Sequence, residues 1–387
     1  MRSYFIFSIA TYVVFFIIFL FNSITTKAEV INTSAKQAIV VAADTNTVLM
    51  EKNADELMTP SSMSKLMTIY MIFERLKDGS LKMTDELPVS ETSWKRNYKS
   101  NGSLMFLSVN SMVTVSDLLR GIIIQSGNDA CSVLAESLYG SEDAFAELAN
   151  QKSREIGMTK STFKNSSGWP TTDHQMTSRD LSILAQRLII DFPDYYPIFS
   201  EKSFIFNKIR QDNRNPLIWQ NVTGADGLKT GYTENGGYGE VGSALRNGRR
   251  IIVVLNGMNS IKTRAEETIR LLEWAFREFD NYTLFRAGEI VTNADVWLGK
   301  EKTVPVYVAR DLIITLQRTT KSNMKITASF NGSVKTPIKS GSEIGVLTVT
   351  APNISPIQVP LLASVDVEQL GFFGRINAFV KQTLWGD

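Results

Sequence analysis

The chain has 387 residues, 43% apolar and 21% charged, which suits a globular protein of two or three domains. Its formal net charge is +2, and beyond Arg2 and Lys27 near the N-terminus the basic and acidic residues balance at 39 each, which gives no support for nucleic-acid binding. One cysteine, Cys131, excludes an intramolecular disulfide, and one histidine, His174, excludes a multi-histidine metal site.

Arg2 precedes an apolar run from Tyr4 to Phe21, and Thr26-Lys27-Ala28 follows. The order reads as a secretory signal over residues 1–28, cleaved after Ala28. The run is long for a signal and nearly spans a bilayer, so an uncleaved anchor is the alternative. Either reading puts the rest of the chain outside the cytoplasm. Ala38–Asp44 and Thr47–Glu51 flank Thr45-Asn46 in a hairpin pattern.

Thr59-Pro60-Ser61-Ser62-Met63-Ser64-Lys65 opens a helix that is apolar on nearly every side from Leu66 to Leu76 and stops at Gly79. Thr59 suits the N-cap and Pro60 the first helical position. A helix apolar all round is buried. Ser62 then sits in the first turn, among free backbone N–H groups, and Lys65 shares its face. A serine needs a base to become a nucleophile, and a lysine in a low-dielectric site is able to serve.

Ser90–Gly102 reads as polar and turn-rich. Val113–Val115 is followed by a helix opened by Ser116-Asp117, which Gln125-Ser126-Gly127-Asn128-Asp129 interrupts. Helices are expected over Ala130–Tyr139, Phe145–Ile156 and Thr177–Ile190, with a loop at Asn165–Pro170. Strand patterns occur at Phe204–Phe206, Leu228–Thr230, Val241–Leu245 and Ile251–Leu255, then an amphipathic helix at Arg264–Phe279. Strands at both ends of a helical block predict an α/β domain over residues 29–281 whose termini share one antiparallel sheet. Short punctuated strands at Glu289–Val291, Asp295–Leu298, Val304–Ala309, Leu312–Gln317, Lys325–Phe330, Gly345–Thr350 and Ile357–Leu361 predict a small β-sandwich over 282–366. In residues 367–387, Leu370, Phe373, Ile376, Phe379, Val380 and Leu384 fall at helical spacing. That stripe predicts an amphipathic helix, read as an interfacial membrane anchor or as a helix docked on its own domain.

Three polar clusters occur in order: Ser62-x-x-Lys65, Ser126-Gly127-Asn128 and Lys229-Thr230-Gly231. Each has decoys, such as Ser161–Lys164, Ser329–Asn331 and Lys339-Ser340-Gly341, so the set carries weight that no member does. In these boxes, and in Asp117-Leu118-Leu119-Arg120-Gly121 and Asp226-Gly227-Leu228, the chain resembles the penicillin-binding serine DD-peptidases, in particular the low-molecular-mass D-alanyl-D-alanine carboxypeptidases.

The resemblance implies a serine β-lactamase/DD-peptidase-like α/β (α+β) catalytic domain, its antiparallel sheet flanked by helices, and no cofactor or metal. Ser62 would attack the carbonyl between two terminal D-alanines of a peptidoglycan stem peptide. Lys65 would take its proton, and Ser126 would relay a proton to the leaving amine with Lys229 tuning that step. Asn128, Lys229, Thr230, Gly231 and Tyr232 would hold substrate, with the N–H groups of Ser62 and Tyr232 facing the oxyanion. β-Lactams would be covalent inhibitors, and the enzyme would work at the periplasmic face of the bacterial inner membrane.

Two positions depart from the pattern. Tyr232 stands where many relatives have histidine. Glu240 stands where an apolar residue is usual, and reads as an edge or solvent-facing position. Arg214 and Arg264 are candidates to meet a carboxylate, and His174 reads as a loop residue. A β-lactamase shares the boxes, but Glu147-Leu148-Ala149-Asn150 lacks the class A Glu-x-x-Leu-Asn pattern. A non-catalytic wall-binding scaffold would not need Ser62, Lys65, Ser126 and Lys229 intact.

Overall fold

The structure, a computed structural model, describes residues 31–352 and 354–385. The expected signal and its Tyr4–Phe21 run lie outside the described residues. From Thr33 onward the chain forms one compact unit.

Strand β1 (Gln37–Ala42) is buried throughout and pairs with the half-buried β2 (Thr47–Lys52), as the hairpin pattern predicts. A 3-10 turn, Ser61–Ser64, then leads into α1 (Lys65–Lys77). Thr59 does not cap it: Pro60 occupies the cap with helical angles, and no side chain bonds the free N–H groups. Ten of the thirteen residues of α1 are buried, so it is the central helix.

The short strands β3 (Glu86–Pro88) and β4 (Met112–Thr114) pair with each other. Between them Glu91–Asn97 forms α2, where the sequence suggests only turns; Ser90 caps it by accepting from Ser93 N at 3.0 Å. Helix α3 (Val115–Arg120) is capped by Thr114 rather than Ser116 and runs into a π-turn, Gly121–Gln125. Helices α4 (Asn128–Tyr139), α5 (Glu142–Glu155) and α6 (Ser178–Asp191) follow. After β5 (Ser203–Phe206), β6 (Ile209–Asp212) and the short α7 (Pro216–Trp219) come β7 (Ala225–Thr233), β8 (Gly237–Arg246), β9 (Arg249–Met258) and α8 (Ile261–Glu278).

The main sheet has the order β2-β1-β9-β8-β7, with every neighbouring pair antiparallel. The two ends of this region share it, as expected. Ile39, Val41, Val241, Ile252 and Val254 pack with α1 and α3–α6 in one core. The alternate residues Val253 and Leu255 are equally buried on the other face, which α8 covers. A sheet covered on both faces hides both halves of its period-2 pattern. Among the described residues, strand β7 has a hydrogen-bonded neighbour strand on one side only.

Directly after α8 come β10 (Phe279–Phe285), β11 (Ile290–Trp297), β12 (Thr303–Tyr307), β13 (Leu312–Gln317), β14 (Lys325–Ser329), β15 (Val334–Lys335), β16 (Glu343–Thr350) and β17 (Ile357–Ala363). They form a six-stranded sheet, β14-β16-β17-β12-β11-β15, and the ribbon β10-β13, around one core that includes Val306, Ile314, Leu316, Leu347 and Leu361. The sequence splits β11 into two strands and does not signal β10 or β15. Thr45 Oγ1 and Thr315 Oγ1 lie 2.5 Å apart, tying the first hairpin turn to β13.

The terminal helix α9 is Phe372–Trp385, not a helix from Val367. Val367 is buried, and its N–H and carbonyl both bond Ile338 at 2.9 Å, so it belongs to the β-rich part. Phe372, Phe373, Ile376 and Val380 on α9 are exposed. Among the described residues no helix is long and apolar enough to cross a membrane.

Candidate active site

Ser62 lies in the 3-10 turn and Lys65 begins α1, which puts Lys65 Nζ 2.9 Å from Ser62 Oγ. Lys65 is fully buried. Its Nζ also donates to Asn128 Oδ1 at 2.7 Å and to the Ser167 carbonyl at 2.5 Å. Burial pulls its ammonium down to about 8. A neutral amine has two N–H donors and one lone pair. Asn128 Oδ1 and Ser167 O only accept, so they take the two donors, and the lone pair is left facing the Ser62 hydroxyl.

The second cluster is shaped by the π-turn, which ends with Ser126 in the left-handed region at φ 66°. Such backbone in a non-glycine residue is strained and held by its surroundings. Gly127 N bonds Gly121 O at 2.8 Å, and Asn128 N bonds Ser103 O at 2.8 Å. The Asp129 carboxylate accepts from Met105 N at 3.0 Å and Leu107 N at 3.2 Å, fixing the segment beside the cleft. Ser126 Oγ is buried and has no hydrogen-bond partner among the described residues. Lys229 on β7 is also buried, and its Nζ donates to Thr230 O at 3.1 Å. Burial, then the charges of Lys65 and Arg214, push Lys229 well below the ordinary lysine range. The resemblance couples Ser126 to Lys229; among the described residues no hydrogen bond joins them.

These elements enclose a cavity of about 970 Å³. Ser62, Ser126, Asn128, Thr230, Gly231 and Tyr232 line it. Arg214, Arg264 and Trp169 line it too, while Lys65 and Lys229 stay buried out of the lining. Gly231 is needed for close approach: a Cβ there would sit 2.9 Å from Pro60 O. Tyr232 is half exposed and stacks on Tyr238, ring centroids 4.2 Å apart. Among the described residues no group of three or more His, Cys, Asp or Glu is placed to hold a metal.

The Ser167 carbonyl was not legible beforehand, because Asn165–Gly168 reads only as a loop. Glu142 holds that loop, accepting from Ser166 N at 2.8 Å and Ser166 Oγ at 2.9 Å. Thr68 on α1 donates to Ser166 O at 2.6 Å. Gly168 has φ +74°, and a Cβ there would meet Ser61 O at 2.0 Å. His174 is a loop residue outside the cleft lining, pulled down to about 4 by burial and therefore neutral near pH 7. Glu240 is neither at an edge nor in solvent: β8 is an interior strand and the side chain is fully buried.

A family model described as D-alanyl-D-alanine carboxypeptidase matches residues 23–259. The chain belongs to this family. A second model, the C-terminal domain of penicillin-binding protein 5, matches residues 279–369 of this carboxypeptidase-family chain. The D-alanyl-D-alanine carboxypeptidase DacC of Escherichia coli is 36% identical over 355 residues, covering 91% of this chain and 89% of its own. The crystal structure of penicillin-binding protein 5 from Haemophilus influenzae matches with a TM-score of 0.79 at 32% identity, over 88% of this chain and 99% of that one. The ampicillin-bound penicillin-binding protein D2 of Listeria monocytogenes matches at a TM-score of 0.57 and 28% identity, over 64% of this chain and 98% of that one.

Proposed function

We infer that the chain is a serine-type D-alanyl-D-alanine carboxypeptidase that removes the terminal D-alanine of peptidoglycan stem pentapeptides through an acyl-enzyme on Ser62. The observation that carries this reading is the Lys65 amine, buried, lowered to about 8 and 2.9 Å from Ser62 Oγ. Neutral Lys65 takes the Ser62 proton as Oγ attacks the carbonyl between the two D-alanines. The backbone N–H groups of Ser62 and Tyr232 face the oxyanion. The C–N bond then breaks, and D-alanine leaves as its amine takes a proton relayed through Ser126. The buried, unpartnered Ser126 hydroxyl supports that role. Lys229, kept low by burial, tunes the relay. Asn128 holds Lys65 and the peptide. Thr230 and Gly231 line the side of the cleft that takes the substrate's end, with Arg214 and Arg264 near its carboxylate. Water finally hydrolyses the ester. Penicillins acylate the same serine and are hydrolysed slowly.

The enzyme trims cell-wall peptides and so serves wall biogenesis and cell shape. Residues 1–28 are an export signal, and α9 rests on the periplasmic face of the inner membrane. The exposed Phe372, Phe373, Ile376 and Val380 support the second assignment.

A fluorescent penicillin tests the assignment. The protein should take one label, and Ser62→Ala should take none. Equal labelling of the Ser62→Ala protein would overturn the reading, and rapid turnover of the penicillin would make the chain a β-lactamase instead.

A further inference from the structure

Glu240 lies on β8, opposite Thr230 on β7 and Leu255 on β9, with its side chain toward α8. An ionised carboxylate buried in a sheet is costly unless it is paired. Its one charged partner among the described residues is Arg264 on α8, whose Nε is 3.6 Å from Glu240 Oε2. That is an ion pair but too long for a hydrogen bond. Thr268 Oγ1, one turn along α8, lies 3.2 Å from Oε2 and 2.8 Å from the Arg264 carbonyl, so its single proton is shared between two acceptors. Among the described residues, Glu240 Oε1 and Arg264 Nε have no hydrogen-bond partner. An apolar residue would fill this interior position without an under-satisfied charge. Arg264, meanwhile, lines the cleft together with Thr230 and Tyr232. The pair therefore runs from the interior of the sheet to the wall of the site.

We propose that Glu240 is a positioning residue, the internal counter-anion of Arg264, and that it sets how much positive charge the cleft offers to a substrate carboxylate. The inference rests on the carboxypeptidase reading. Ionised, Glu240 competes with the substrate carboxylate for one guanidinium. Protonated, it leaves the charge of Arg264 to the cleft. Burial pushes the Glu240 carboxyl up to about 7, with Arg264 opposing, so the exchange falls near neutral pH. The sign follows: carboxylate binding is tighter below that pH and weaker above it. Tyr238 on β8, Arg214, and Lys229 on β7 are the other ionisable groups coupled to Arg264. Lys229 and Lys65 also titrate below the ordinary lysine range, so the assignment rests on variants of Glu240 and not on a profile alone.

The test measures KM and kcat of the full chain on a soluble D-Ala-D-Ala peptide across about pH 5.5–8.5. Wild type, Glu240→Gln and Glu240→Leu are compared, each checked for penicillin labelling. The wild-type KM should rise roughly fivefold or more through neutral pH, the lower end of ordinary coupling between sites. Both variants should lose that inflection and keep the low-pH KM, while the kcat profile set by Lys65 is shared by all three. Glutamine keeps the shape and decides the matter if the leucine variant does not fold. A KM inflection absent from the wild type, or retained in Glu240→Gln, would overturn the inference in a protein that still labels with penicillin. A wild-type protein that takes no penicillin would overturn the carboxypeptidase reading and the inference with it.

Discussion

At the scale of single residues, the proposed chemistry turns on the burial of Lys65. With its ammonium lowered to about 8, acylation by penicillin should speed up as pH rises through that value and level off above it. Stopped-flow labelling across that range checks this. Lys65→Arg keeps a permanent charge and should cut acylation about 10²-fold or more while the far-UV circular dichroism is retained. Burial also has a stability signature. The folded pKa lies below the ordinary 10.5, so between about 8 and 10.5 the unfolded chain holds more protons at this position. The Lys65 contribution to stability therefore improves as pH rises through that window, and its penalty is fully present below about 8. Ser62 and Lys65 were legible because three side-chain spacings agreed. Glu240 was misread because period-2 alternation says that a residue faces the other side of the sheet, not that the other side is wet.

At the scale of elements, the site depends on how the Asn165–Gly168 loop is seated against the turn before α1. Gly168→Ala would place a Cβ 2.0 Å from Ser61 O in a left-handed backbone. Thermal unfolding should show a loss of about 1–3 kcal/mol, and penicillin labelling should slow as the Ser167 carbonyl leaves Lys65. Glu142→Ala removes the acceptor for Ser166 N and Oγ. It should cost about 1–3 kcal/mol by the same measurement and slow acylation without abolishing it. Neither support was readable in advance. A backbone carbonyl has no sequence signature, and Glu142 looks like an ordinary acidic residue in the first turn of a helix. Helix α2 was hidden for a similar reason: Glu91–Asn97 is polar, and only its Ser90 cap marks it. Strand β10 follows α8 without a break, so no turn residue separates the two patterns.

At the scale of the whole molecule, the β-rich part and α9 are joined at Val367–Leu370, where Val367 bonds Ile338 and Leu370 N bonds Leu298 O at 2.8 Å. A truncation that tests the anchor must therefore keep those residues. Deleting residues 371–387 should leave the core around Leu361 and Val367 whole. Several large apolar side chains, worth roughly 1.5–3 kcal/mol each when buried, would then no longer hold the protein to lipid. Cell fractionation should find the penicillin-labelled protein in the soluble fraction, still hydrolysing a D-Ala-D-Ala peptide. A protein that stays on the membrane would move the attachment to the Tyr4–Phe21 run. The order of the main sheet has one more effect. Among the described residues strand β7 is paired on one side only, and an open strand edge invites another strand to add to it. Thr230, Tyr232 and Thr233 of β7 line the same cavity as Ser62, Ser103 and Trp169. On the carboxypeptidase reading, the edge that would elsewhere recruit a neighbouring copy opens instead on the cavity beside Ser62, where an extended substrate peptide would add to it as one more strand.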